Sequence, residues 1–67
     1  METVFKYQIG DILVSKISGF EGIVVGRVEH MNGVIQYLIT PQRLKPDGSE
    51  INSEWIDEGI LIKIGIS

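Results

Sequence analysis

The stretch from Gly22 to Tyr37 constrains most strongly what this chain can fold into. Two runs rich in β-branched residues, Gly22 to His30 and Val34 to Thr40, flank Asn32-Gly33. Asn-Gly between alternating apolar runs is a strong hairpin signal, because a type I′ turn needs positive φ at both central residues. With Asn32 and Gly33 as the two loop residues, Met31 faces Val34, His30 faces Ile35, Val28 faces Tyr37 and Arg27 faces Leu38. Side-chain alternation then puts Val24, Val28, Ile35, Tyr37 and Ile39 on one face, the expected core. The opposite face carries Ile23, Val25, Arg27, Glu29, Val34, Gln36 and Leu38. That second face is too apolar for a fully solvated sheet.

The rest of the chain divides in the same way. Residues 1–8 form a short arm with Phe5 and Tyr7, and Ile9-Gly10-Asp11 leads into a first strand over Ile12–Ile17. Ser18 to Gly22 is a glycine-bounded loop around Phe20. Pro41 stops the third strand because it has no N–H to give to a ladder. A longer connection follows, with a turn at Pro46-Asp47-Gly48. Ser53–Ile56 is a short fourth strand, Asp57-Glu58-Gly59 a tight or 3₁₀ turn, and Ile60–Ile66 the last strand. In that strand Ile60, Ile62, Ile64 and Ile66 share one face, with Leu61 and Lys63 on the other. Five short strands with glycine-rich turns and no amphipathic helix predict an all-β fold, a small five-stranded SH3-like barrel.

Sixty-seven residues make one domain, residues 1–67, with a marginal core: a chain this short buries only about 60% of the surface its unfolded form exposes. Small chains compensate with disulfides, a metal or a partner. Cysteine is absent and there is one histidine, so neither a disulfide nor a zinc site is expected, and no cofactor is implied. Idealised packing or self-association remains, the latter through the outer face with Ile23, Val25, Val34 and Leu38 as the expected interface, or through the edge of the last strand. The alternative is that a strongly bent barrel covers both faces internally. A net charge of −3 with only six Lys and Arg argues against double-stranded nucleic acid as a partner. Nothing resembles a signal peptide or a membrane span, so a soluble cytoplasmic protein is expected.

Several residues could carry chemistry. His30, beside the hairpin turn, has no triad-type neighbours and reads as a rim residue without a role. Asp57 and Glu58 are adjacent, so on a strand they point to opposite faces and do not converge; Asp57 is expected to cap a 3₁₀ turn. Phe20, Tyr37 and Trp55 either fill the core or line one rim of the barrel. In the second case Arg27 or Arg43 beside them suits a nucleotide, with stacking for the base and a guanidinium for the phosphate. Arg27 otherwise pairs with Glu29 or Glu21. The acidic group Asp47, Glu50, Glu54, Asp57 and Glu58 is solubilising surface, or a mimic of nucleic acid towards a basic protein.

Ile9-Gly10-Asp11, Val14 and Ser18-Gly19-Phe20-Glu21-Gly22-Ile23-Val24 resemble the KOW and Tudor-like branch of SH3-like barrels. The longer pattern is similar to a group of small phage and prophage proteins, largely without assigned function. It adds Gly26-Arg27, Asn32-Gly33, Gln36-Tyr37, Asp47-Gly48 and Trp55-Ile56-Asp57-Glu58, and spans about Tyr7 to Ile62. The resemblance implies a phage-encoded accessory protein in the host cytoplasm. Such a protein would act without catalysis, as a homo-oligomer that sequesters a small nucleotide signal or occludes a host protein. The alternative it leaves open is a KOW-like module touching nucleic acid or the transcription machinery. Gly22-Ile23-Val24-Val25-Gly26 also resembles the central strand of plasmid-borne type II dihydrofolate reductase. That family's Val-Gln-Ile-Tyr motif is missing where Ser53-Glu54-Trp55-Ile56-Asp57 stands, so reductase activity is not expected.

Overall fold

The computed structural model describes residues 4–42, 47 and 52–66. Within them lie β1 (Asp11–Ser15), β2 (Glu21–Glu29), β3 (Ile35–Thr40), β4 (Glu54–Asp57) and β5 (Leu61–Ile66). A 3₁₀ turn, Glu58–Ile60, joins β4 to β5. All five strands form one antiparallel sheet in the order β4-β3-β2-β1-β5, so the expected all-β class holds. β4 and β5 are its two ends, and the sheet does not close on itself. The Pro46-Asp47-Gly48 turn lies largely outside the described residues, and so does Arg43.

Local chemistry accounts for the turns. Gly10 sits at φ 100, and the following Asp11 carboxylate accepts the Gln8 N–H at 2.9 Å. Asp11 is buried and pairs with Lys63 at 3.5 Å, so the Gly-Asp opening anchors a turn to β5. Between β1 and β2, the Ser15 hydroxyl accepts the N–H groups of Ile17 and Ser18, while Gly19 takes φ 76.

The β2–β3 hairpin forms where expected, with different turn chemistry. The His30 N–H donates to the Val34 carbonyl at 2.8 Å and the Gly33 N–H to the His30 carbonyl at 2.9 Å. The loop therefore has three residues, Met31-Asn32-Gly33. Gly33 alone in it takes positive φ, 89°, and no described non-glycine residue does so. This is the type I turn followed by a left-handed glycine, not the type I′ turn. The Asn32 side-chain oxygen accepts the Val34 N–H at 3.1 Å, which holds Asn32 out of the left-handed region. A Cβ on Gly33 would meet nothing within 4 Å, so its cost is conformational alone. Gly33→Ala is therefore expected to lower stability by about 1 kcal/mol, shifting the urea midpoint with the slope unchanged.

The longer loop moves the register by one residue: Arg27 faces Tyr37, Val28 faces Gln36 and Glu29 faces Ile35. A β-bulge at Val25 then shifts the register once more, so that Val24 faces Ile39 and keeps its expected core side. One extra residue reverses the facing of everything beyond it. Val28 consequently leaves the expected core face, and Arg27 and Glu29 move onto it. β5 has a bulge too: Leu13 faces Lys63 and Ile12 faces Gly65, leaving Ile64 extra. Ile60 belongs to the 3₁₀ turn, and Ile62, Ile64 and Ile66 thus do not share one face.

The core comprises Tyr7, Leu13, Val24, Tyr37, Ile39, Ile56 and Leu61, with Phe5, Phe20, Ile35 and Ile60 packed against it. The arm before β1 completes it. Phe5 and Tyr7 each meet the Tyr37 ring edge-on, at centroid distances of 6.3 and 5.4 Å. The Tyr7 hydroxyl donates to the Leu61 carbonyl at 2.9 Å.

Candidate functional site

Two surfaces are left once the core is assigned. The first is the outer face of the sheet, the face away from Tyr37. Pairing of Leu38 with both Trp55 and Gly26, of Ile12 with Ile23 and of Val14 with Ile62 puts these residues on it. Val28 shares that face, opposite Gln36. An apolar band therefore crosses all five strands. Gly26 makes room for the Trp55 indole, whose Cη2 lies 3.5 Å from where a Gly26 side chain would begin. Trp55 and Ile62 are 49% and 46% exposed at the two ends of the band, while Ile12, Val14, Ile23, Val28 and Leu38 are half-buried. Patches of this extent on small proteins mark contact surfaces.

The second surface is an open groove of about 440 Å³ between the β2–β3 hairpin tip and the 3₁₀ turn. Gly33, Val34, Ile35, Gly59 and Ile60 line it, together with Asp57 and Glu58. Both carboxylates are held by hydrogen bonds. The Tyr37 hydroxyl donates to Glu58 Oε2 at 2.5 Å, and the Lys6 N–H donates to the same oxygen at 3.2 Å. The Tyr37 oxygen in turn accepts the Tyr7 N–H at 3.1 Å. Burial, then the hydrogen bond to Glu58, pushes the Tyr37 hydroxyl up to about 12. It stays protonated at neutral pH and serves as a donor, not as a base or nucleophile.

Asp57 accepts the Gln36 side-chain amide at 2.7 Å, and Gln36 Oε1 meets His30 Nε2 at 2.7 Å. An ionised carboxylate only accepts, so it fixes which way the Gln36 amide points. His30 must then present an N–H at Nε2. Asp57 does precede the 3₁₀ turn, but its side chain makes no cap bond there and is spent on Gln36 instead.

Among the described residues, the expected ligand residues Phe20, Arg27, Tyr37 and Trp55 do not converge within one chain. Tyr37 is fully buried in the core and Phe20 packs partly buried against it. Trp55 lies on the opposite face of the sheet. Arg27, expected on the outer face, covers the arm: its guanidinium stands 4.6 Å from the Phe5 ring centroid and donates to the Tyr7 carbonyl at 3.3 Å. Arg27 also reaches Gln8 Oε1 at 3.4 Å. Of the expected interface, Ile23 and Leu38 lie on the outer face, Val25 sits exposed at the bulge and Val34 belongs to the groove. Gln36, Tyr7 and the Tyr37–Glu58 link escape sequence reasoning, because each depends on knowing which strands pair.

Among the described residues no group of three or more His, Asp or Glu could hold a metal ion. No helix among them is long and apolar enough to cross a membrane. No family model, curated protein or solved structure matches the chain.

Proposed function

We propose that this chain is a phage-type accessory protein with an SH3-like barrel fold, which self-associates through the outer face of its sheet and acts by occluding a host protein. The barrel reading is supported by the strand order β4-β3-β2-β1-β5 and by the 3₁₀ turn before the last strand. The apolar band from Trp55 to Ile62 carries the self-association. A chain with so small a core gains stability by covering such a band with a second copy. A non-catalytic role is supported by the polar groups near the groove, which engage one another and leave Tyr37 protonated.

A protein target is favoured over a nucleotide signal, since among the described residues Arg27 and the aromatics suited to a nucleotide lie on different faces or in the core. It is also favoured over nucleic acid. The chain carries only six Lys and Arg against nine Asp and Glu. Of the described cations Arg27 contacts the arm, Lys63 pairs with Asp11 and Lys6 lies 5.4 Å from the Tyr7 ring centroid, which leaves Lys16 exposed.

Sedimentation of the wild type and of Leu38→Lys and Ile62→Lys tests the proposal. The wild type is expected at a multiple of the 7.5 kDa chain mass. Both variants are expected as folded monomers. Variants that keep the wild-type mass contradict the assigned face. A thermal shift of several degrees with a cyclic or linear nucleotide would replace the protein target with a small signal.

A further inference from the structure

At the hairpin tip Asn32-Gly33 joins a side-chain amide to a backbone nitrogen that has no β-carbon beside it. If the Gly33 nitrogen gives up its proton and attacks Asn32 Cγ, a five-membered succinimide closes and the side-chain nitrogen leaves as ammonia. Water then opens the ring at one of its two carbonyls. Opening at Cγ yields aspartate. Opening at the main-chain carbonyl yields isoaspartate, whose backbone runs through the former side chain and is one methylene longer. A side chain on residue 33 hinders this ring closure, and glycine does not. Asn32 and Gly33 are both exposed, and a Cβ on Gly33 would meet nothing within 4 Å, so water reaches the site and no neighbour crowds it.

The closed loop nevertheless holds both reacting groups. The Gly33 N–H donates to the His30 carbonyl at 2.9 Å, and the Asn32 side-chain oxygen accepts the Val34 N–H at 3.1 Å. The first bond keeps the proton on the nucleophile, and the second ties down the amide it must reach. We infer that Asn32-Gly33 is a site of spontaneous covalent modification, deamidation through a succinimide, gated by these two hydrogen bonds. Reaction proceeds from the locally opened loop. Either product adds one negative charge to a chain that already carries −3. Their structural effects differ. Aspartate still accepts the Val34 N–H, so the loop closes again. Isoaspartate lengthens the ring that the Gly33 N–H closes on the His30 carbonyl. Loop length sets hairpin register, so this product opposes the pairing of Glu29 with Ile35.

The test follows the full chain at mildly alkaline pH, native and in urea, by peptide mapping with mass spectrometry and chromatographic separation of the two isomers. In urea a gain of one mass unit is expected at Asn32 before Asn52, the other asparagine, which precedes Ser53. The native chain is expected to react at Asn32 roughly thirty-fold more slowly, the population cost of breaking two hydrogen bonds. The purified isoaspartate form is expected to unfold at lower urea than the wild type, and Asn32→Asp at the wild-type midpoint. Equal rates at Asn32 in the native and unfolded chains would overturn the gate. Reaction at Asn52 ahead of Asn32 in urea would overturn the site. An isoaspartate form as stable as Asn32→Asp would overturn the assigned effect on the hairpin.

Discussion

Gly22→Ala is expected to remove about 3 kcal/mol or more of stability, which for a domain of this size is most of what it has. Gly22 is buried on β2 opposite Leu13. A Cβ there would overlap the Thr40 carbonyl oxygen, lie 2.6 Å from the Thr40 carbonyl carbon and lie 2.9 Å from Ile39 Cγ2. The first two neighbours are backbone of the paired strand β3, which cannot turn aside as a side chain can. Relief would require β2 and β3 to separate at Ile23–Thr40, beside the bulge. Urea unfolding followed by the fluorescence of the single tryptophan measures the effect. Gly59→Ala is the control. Its Cβ meets nothing within 4 Å, so it is expected to stay within about 0.5 kcal/mol of wild type. Similar losses for the two variants would mean that β2 and β3 do not approach each other as described.

Raising the pH from 10 to 12 is expected to cost roughly 2 kcal/mol through Tyr37 alone. Its hydroxyl is lifted from 10.0 to about 12 by burial and by the hydrogen bond to Glu58. The folded chain therefore holds this proton more tightly than the unfolded chain. Below pH 10 both forms are protonated and the contribution is fully present. Between pH 10 and 12 the unfolded chain ionises first, and stability falls until the folded form ionises as well. Tyr37→Phe should flatten this dependence. At neutral pH it is expected to cost about 1–3 kcal/mol, since the Tyr7 N–H and Glu58 each lose a partner. Chemical denaturation across that pH range, on wild type and variant, checks both statements. A slope that persists in the variant would assign the effect to another group.

The strands were legible because their signals are local. β-branched runs, glycine turns and Pro41 place all five within a residue or two of where they lie, and the hairpin falls at Asn32-Gly33 as expected. The facing of side chains was not legible in the same way. Asn-Gly serves two turn types, and here it closes a three-residue loop in which the Asn32 side chain accepts the Val34 N–H. The bulge at Val25 leaves no compositional trace, because a valine fits a bulge and a regular strand alike. The extra loop residue moved Arg27 from the outer face to the core side and Val28 the other way, and the bulge returned Val24 to the core side. The groove was harder still to foresee. It joins the hairpin tip to the 3₁₀ turn, and Gln36 meets Asp57 only because β3 pairs with β4.

Trp55 tests the central claim most directly, because it is the only tryptophan and stands at one end of the proposed interface. In the single chain its side chain is about half exposed, resting on Gly26. Its emission spectrum and its quenching by acrylamide should be recorded from millimolar to nanomolar protein. If the outer face is covered by another copy, emission is blue-shifted and protected at high concentration. Both properties are then lost on dilution, as the mass falls to 7.5 kDa. A half-exposed spectrum that does not change with concentration would contradict the account.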